Sequence, residues 1–100
     1  MTKRSDQEKE NKAIHVIVDG RVQGVGFRHF TRNNAHRLGV HGWVRNRDDG
    51  TVEIQAEGAR YRLKQFLKQI RKGPTHSWVQ DVDVEWEEPK GESYGFRVRY

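Results

Sequence analysis

Ile14, Val16 and Val18 alternate with His15, Ile17 and Asp19 along the first ordered stretch of the chain. A period of two predicts a half-buried strand, because successive side chains leave opposite faces of the pleat. The pattern stops in a loop with glycines at 20, 24 and 26, and a helix is predicted from about Arg28 to Leu38. Phe30, Ala35 and Leu38 give that helix only a thin apolar stripe, and Gly39 is a good C-terminal stop. A second strand, from about His41 to Arg47, runs into Asp48-Asp49-Gly50, and Asp-Gly between two strands signals a hairpin. In the third strand, Thr51 to Ala56, Val52, Ile54 and Ala56 alternate with Thr51, Glu53 and Gln55. Leu63, Phe66, Leu67 and Ile70 then recur at i, i+3, i+4 and i+7, the stripe of an amphipathic helix that Gly73-Pro74 ends. A fourth strand is predicted from Trp78 to Trp86, and Phe96, Val98 and Tyr100 predict a short last one.

The order β-α-β-β-α-β with a terminal strand implies an α+β fold, the split βαβ or ferredoxin-like sandwich. It has an antiparallel sheet with two helices on one face. The crossover helix makes strands one and two parallel, with strand three running back between them. Their ends therefore lie at one edge of the domain. The glycine loop leaves the first strand there and Arg45-Asn46-Arg47 leaves the second, so Arg28 and Asn46 are expected to meet.

Composition narrows the picture. One hundred residues without cysteine imply one domain with neither disulfides nor thiolate metal sites, and a reducing, cytoplasmic setting is expected. No long apolar run or signal-peptide core is present, so neither export nor membrane insertion is expected. Residues 1–12 are almost wholly polar and are expected to be a disordered tail without catalytic role, leaving 13–100 as the domain. The formal charge of +5 invites a nucleic-acid partner, but the basic residues are spread along the chain. A nucleic-acid module of this topology would also carry stacking aromatics on its central strands, and the third strand has none. A small anion suits the charge as well, and a monomer with no nucleic-acid partner is expected.

The glycine loop carries the candidate chemistry. Glycines let backbone N–H groups turn toward an anion at a helix start. Arg28 adds a planar, permanently charged fork suited to phosphate. The helix dipole disfavours a cation in that position, so a bound anion is the natural compensation. The spacing fits neither the Walker loop nor the dinucleotide fingerprint. Asn46 has no useful basicity, yet its amide can orient a water. If the leaving group is a carboxylate, with its conjugate acid near a pKa of about 4, no general acid is needed. His15, His29, His36, His41 and His76 lack zinc-site spacing, and no metal is expected. Asp48 and Asp49 belong to the turn.

These residues resemble those of the acylphosphatases, small enzymes that hydrolyse carboxyl phosphates to a carboxylate and inorganic phosphate. The first signature stands as Val18-Asp19-Gly20-Arg21-Val22-Gln23-Gly24-Val25-Gly26-Phe27-Arg28. The second stands as Gly42-Trp43-Val44-Arg45-Asn46, followed by Gly50, Val52 and Gly58. The resemblance implies that Arg28 binds the phosphate and that Gln23, Gly24, Val25, Gly26 and Phe27 supply backbone amides. It also implies that Asn46 orients the attacking water, with no cofactor and with inorganic phosphate as product and inhibitor. Gly26 and Arg47 depart slightly from the family pattern, a larger side chain and a small hydroxyl residue being found there in other members. The alternatives are a non-catalytic anion-binding domain and a carbamoyl-phosphate-handling domain like that of hydrogenase maturation proteins. The latter usually sits in a much longer chain with zinc-finger cysteines.

Overall fold

Branched apolar residues at every second position build one five-stranded sheet, and two glycine-stopped helices cover one face of it. The computed structural model describes residues 6–91 and 93–100. Its elements are α1 (Asp6–Lys9), β1 (Asn11–Arg21), α2 (Phe27–Leu38), β2 (His41–Asn46), β3 (Val52–Ala59), α3 (Arg60–Lys72), β4 (Trp78–Glu87) and β5 (Phe96–Arg99). The sheet order is β4-β1-β3-β2-β5. Every pairing is antiparallel except β2 with β5, which run parallel. The parallel pair involves the terminal strand, whose neighbour and sense the sequence pattern does not specify. It arises because the chain returns past the far edge after β4 and lays β5 beside β2.

Val16, Ile54 and Val44 lie in register on one face of β1, β3 and β2 and are fully buried. Leu63, Phe66 and Ile70 of α3 close over them, and the Phe66 ring lies 6.1 Å from Phe96 of β5. Burying a side chain of this size contributes roughly 1.5–3 kcal/mol. The stripe of α2 differs from the one expected. Phe30 and Leu38 are only partly buried, while Phe27, Thr31, Asn34 and Ala35 face inward. Thr31 Oγ1 donates to the Phe27 carbonyl at 2.8 Å and Asn34 Nδ2 to the Phe30 carbonyl at 2.9 Å. Local bonds of this kind let small polar side chains enter a core without an unmet donor.

The predicted boundary at residue 13 falls inside β1, where Asn11 and Lys12 already pair with Ala59 and Gly58. Of the polar segment expected as a disordered tail, residues 1–5 lie outside the described residues. The described remainder packs on α3. Glu8 reaches Lys64 Nζ at 2.9 Å and Arg60 Nε at 3.7 Å, and the Arg60 N–H donates to the Glu10 carbonyl at 3.0 Å. Polar composition concealed this segment because its contacts are ionic and main-chain, not apolar.

Candidate active site

β1 ends in the glycine loop because Gly24 and Gly26 take positive φ, 74° and 80°. Left-handed backbone of that kind is costly for residues with a Cβ. A Cβ at either position would meet nothing within 4 Å, so the backbone angle and not crowding calls for glycine. Gly26 is also the N-cap of α2, and no side chain caps the helix. The first N–H groups of a helix have no acceptor within it. Here they open toward a small depression lined by Val22, Gly24, Gly26, Phe27, Arg28, His29 and Asn46. Its volume of about 70 Å³ suits a phosphoryl-sized group. Clefts for drug-sized ligands run to roughly 300–1,000 Å³.

The structure thus brings Gly24, Gly26, Phe27, Arg28 and Asn46 together, as expected from the parallel placement of β1 and β2. Gln23 and Val25 do not line the depression. Val25 is partly buried against the core, and the Phe27 ring is buried 5.9 Å from Phe30, so Phe27 faces the depression as backbone. No carboxylate lines the depression, and no acid occupies the first turn of α2. Among the described residues Arg28 has no acidic partner. Its guanidinium lies 4.7 Å from the centroid of the Tyr100 ring. A cation over an aromatic face is held weakly and keeps its donors available. Asn46 is the other half of the site. Its Oδ1 is buried and accepts no hydrogen bond from any described residue. An orphaned buried acceptor is uncommon, since its desolvation is uncompensated.

Gln23 plays a part its sequence context does not announce. Its Nε2 donates to the Arg47 carbonyl and to the Thr51 carbonyl, both at 2.8 Å. These carbonyls flank the β2–β3 turn immediately beyond Asn46. One side chain therefore ties the glycine loop to the hairpin. The turn is braced from within as well: Asp49 Oδ1 accepts from the Thr51 hydroxyl at 2.6 Å and from its N–H at 3.0 Å. Those bonds from Thr51, the hydroxyl foremost, lower the Asp49 pKa. Asp48 and Asp49 do not line the depression, and Asp49 serves the turn. Among the described residues no three His, Asp or Glu side chains group as a metal site requires, and no helix is long and apolar enough to cross a membrane.

The acylphosphatase family model matches residues 14–98, which takes in the loop, Arg28 and Asn46. The chain belongs to the acylphosphatase family. It is 64% identical over 70 residues to the acylphosphatase of Bacillus licheniformis, covering 70% of this chain and 78% of the relative. With the acylphosphatase of a Roseiflexus species it shares 49% over 84 residues, covering 84% and 90% of the two chains. The crystal structure of the Bacillus subtilis acylphosphatase superposes with a TM-score of 0.86 at 42% identity, covering 89% of this chain and 99% of that one. A full-length HypF crystallised with phosphate and nucleotide gives a TM-score of 0.81 at 28% identity, but this chain covers only 12% of it. This acylphosphatase is accordingly an enzyme that hydrolyses acyl phosphates, and its fold is the ferredoxin-like α+β sandwich.

Proposed function

We propose that this acylphosphatase works by positioning, without a metal or a covalent intermediate. The phosphoryl group of the substrate sits in the depression at the start of α2. Loop and helix amides of residues 24–28 donate to its oxygens, and the Arg28 guanidinium spans two of them. Asn46 Oδ1 accepts a hydrogen bond from a water and aims it at phosphorus. The water oxygen bonds to phosphorus as the bond to the acyl oxygen breaks, and the carboxylate leaves with the electron pair. Its low basicity removes the need for a general acid. The water's proton passes to a phosphoryl oxygen of the substrate. Phosphoryl transfer asks mainly for alignment and charge stabilisation, which amides, arginine and asparagine supply.

The observation that carries this reading is the buried, partnerless Asn46 Oδ1 in the same small depression as Arg28 and the amide loop. A buried acceptor with no protein partner among the described residues can take a hydrogen bond from the attacking water. Benzoyl phosphate hydrolysis in excess EDTA, run on wild type and Asn46→Ala, tests it. Wild type is expected to turn over fully. The variant is expected to lose about 10²-fold or more in kcat while phosphate still inhibits competitively. Loss of wild-type turnover to EDTA would overturn the metal-free route, and an active Asn46→Ala would overturn the role of Asn46. A folded wild type without hydrolysis would leave an anion-binding or carbamoyl-phosphate-handling domain.

A further inference from the structure

Arg28, Asn46 and His29 are the residues with polar side chains that line the depression. The first two are assigned to the phosphoryl group and the water, and His29 is left without a part. The reaction has a need that those two do not meet. As the bond from phosphorus to the acyl oxygen breaks, negative charge gathers on that oxygen. In-line displacement puts it on the side of phosphorus away from the attacking water that Asn46 holds. The amides and Arg28 are committed to the phosphoryl oxygens.

His29 is equipped to meet that need. It follows Arg28 in the first turn of α2 and is exposed. Arg32, one turn further on, brings Nη2 to 3.2 Å from His29 Nδ1. A guanidinium only donates, so Nδ1 accepts and the ring proton stands on Nε2. That Nε2–H has no partner among the described residues, and neither His29 nor Arg32 pairs with an acid among them. The first turn of α2 holds no acid either. Neighbours at i, i+3 on a helix meet readily, which explains the contact between the two side chains. It leaves unexplained why a free donor backed by a guanidinium stands at the mouth of the depression, at the positive end of a helix, with no counter-charge. A carboxylate completes that arrangement.

We propose that His29 Nε2–H donates to the leaving carboxylate oxygen and forms the acyl side of the site, an inference that rests on the positioning reading above. The bond from phosphorus to the bridging oxygen breaks, and its electron pair stays on the carboxylate. His29 contributes a hydrogen bond and keeps its proton, while the water's proton still passes to a phosphoryl oxygen. Arg32 acts through His29 as a positioning residue, because its hydrogen bond selects the tautomer with Nε2 protonated. A substrate preference follows. The more basic the departing carboxylate, the more it gains from this bond, so His29 matters most for acyl phosphates with electron-rich acyl groups.

Steady-state kinetics with para-methoxybenzoyl and para-nitrobenzoyl phosphate test the proposal. In His29→Ala, kcat and kcat/KM are expected to fall together by about tenfold on the methoxy substrate with KM unchanged, because the interaction strengthens only as charge develops. On the nitro substrate, whose carboxylate is less basic, the loss is expected to be about threefold. Inorganic phosphate should inhibit every variant as it does wild type, which reports an intact cradle and fold. His29→Gln offers an amide N–H in place of Nε2–H and should recover most of the loss. Arg32→Ala should fall between wild type and His29→Ala, with the same order of substrates. Unaltered turnover in His29→Ala, an equal loss on both substrates, or no recovery with glutamine would overturn the proposal. Failure of the positioning reading would show elsewhere, as a wild type stopped by EDTA or an active Asn46→Ala, whatever stands at position 29.

Discussion

Replacing Gln23 by alanine separates the stability of the fold from the alignment of the site. The side chain gives two hydrogen bonds of 2.8 Å, to the Arg47 and Thr51 carbonyls. Each is worth about 0.5–1.5 kcal/mol net. Neither carbonyl is stripped by the change. Thr51 O still accepts the Arg47 N–H at 2.9 Å, and Arg47 O still accepts the Gly50 N–H at 3.2 Å. A freed glutamine conformation also no longer has to be ordered, which offsets up to about 1.5 kcal/mol of the loss. The fold should therefore lose only about 1 kcal/mol. The site should lose more. With the bonds gone, the amide loop loses its side-chain tie to the turn that follows Asn46. A misplacement of an ångström between reacting groups costs on the order of 10²-fold in rate.

The assay is benzoyl phosphate kinetics with phosphate inhibition, set beside urea unfolding of the same preparation. We expect kcat/KM to fall about 10- to 100-fold and phosphate to inhibit more weakly, against a small drop in the unfolding midpoint. Gln23→Glu should be worse, since a carboxylate cannot donate and would face two carbonyl oxygens. Unchanged kcat/KM in Gln23→Ala would refute the reasoning and leave the two bonds as ornaments of the turn.

The remaining expectations concern single groups. Arg28→Lys should lose most of its activity with the fold intact, because a point charge does not replace a two-pronged fork; near-normal turnover would contradict the role of Arg28. Burial raises the Glu53 pKa, but hydrogen bonds from His15 and Arg45 outweigh it and the net shift is downward from 4.5. A carboxyl whose folded pKa lies below its unfolded value contributes stability above the unfolded value, lost as pH falls through the folded one. Wild type should thus lose stability below about pH 4.5 more steeply than Glu53→Gln, which should itself be about 1 kcal/mol weaker at neutral pH; parallel acid-unfolding curves would count against this.

How much of this was legible in the chain depends on whether a feature is written in periodicity or in pairing. Alternation at Ile14–Val18 and Val52–Ala56, with a crossover helix between β1 and β2, was enough to make those two strands parallel. It therefore placed the glycine loop and Asn46 at one edge. Handedness and alternation do not say which edge a four-residue strand joins. Phe96–Arg99 alternates well enough to be read as a strand, yet nothing in it names β2 as its neighbour or parallel as its sense. One consequence was hidden with it: the Tyr100 ring beside Arg28. Gln23 was hidden for another reason. It stands inside a signature that draws attention to backbone amides, while its side chain turns away from the depression and holds the hairpin. The groups proposed to act on the substrate, Arg28 and Asn46, were readable because such chemistry restricts residue type. The groups that hold them in place act through main-chain carbonyls, which any residue at positions 47 and 51 would offer.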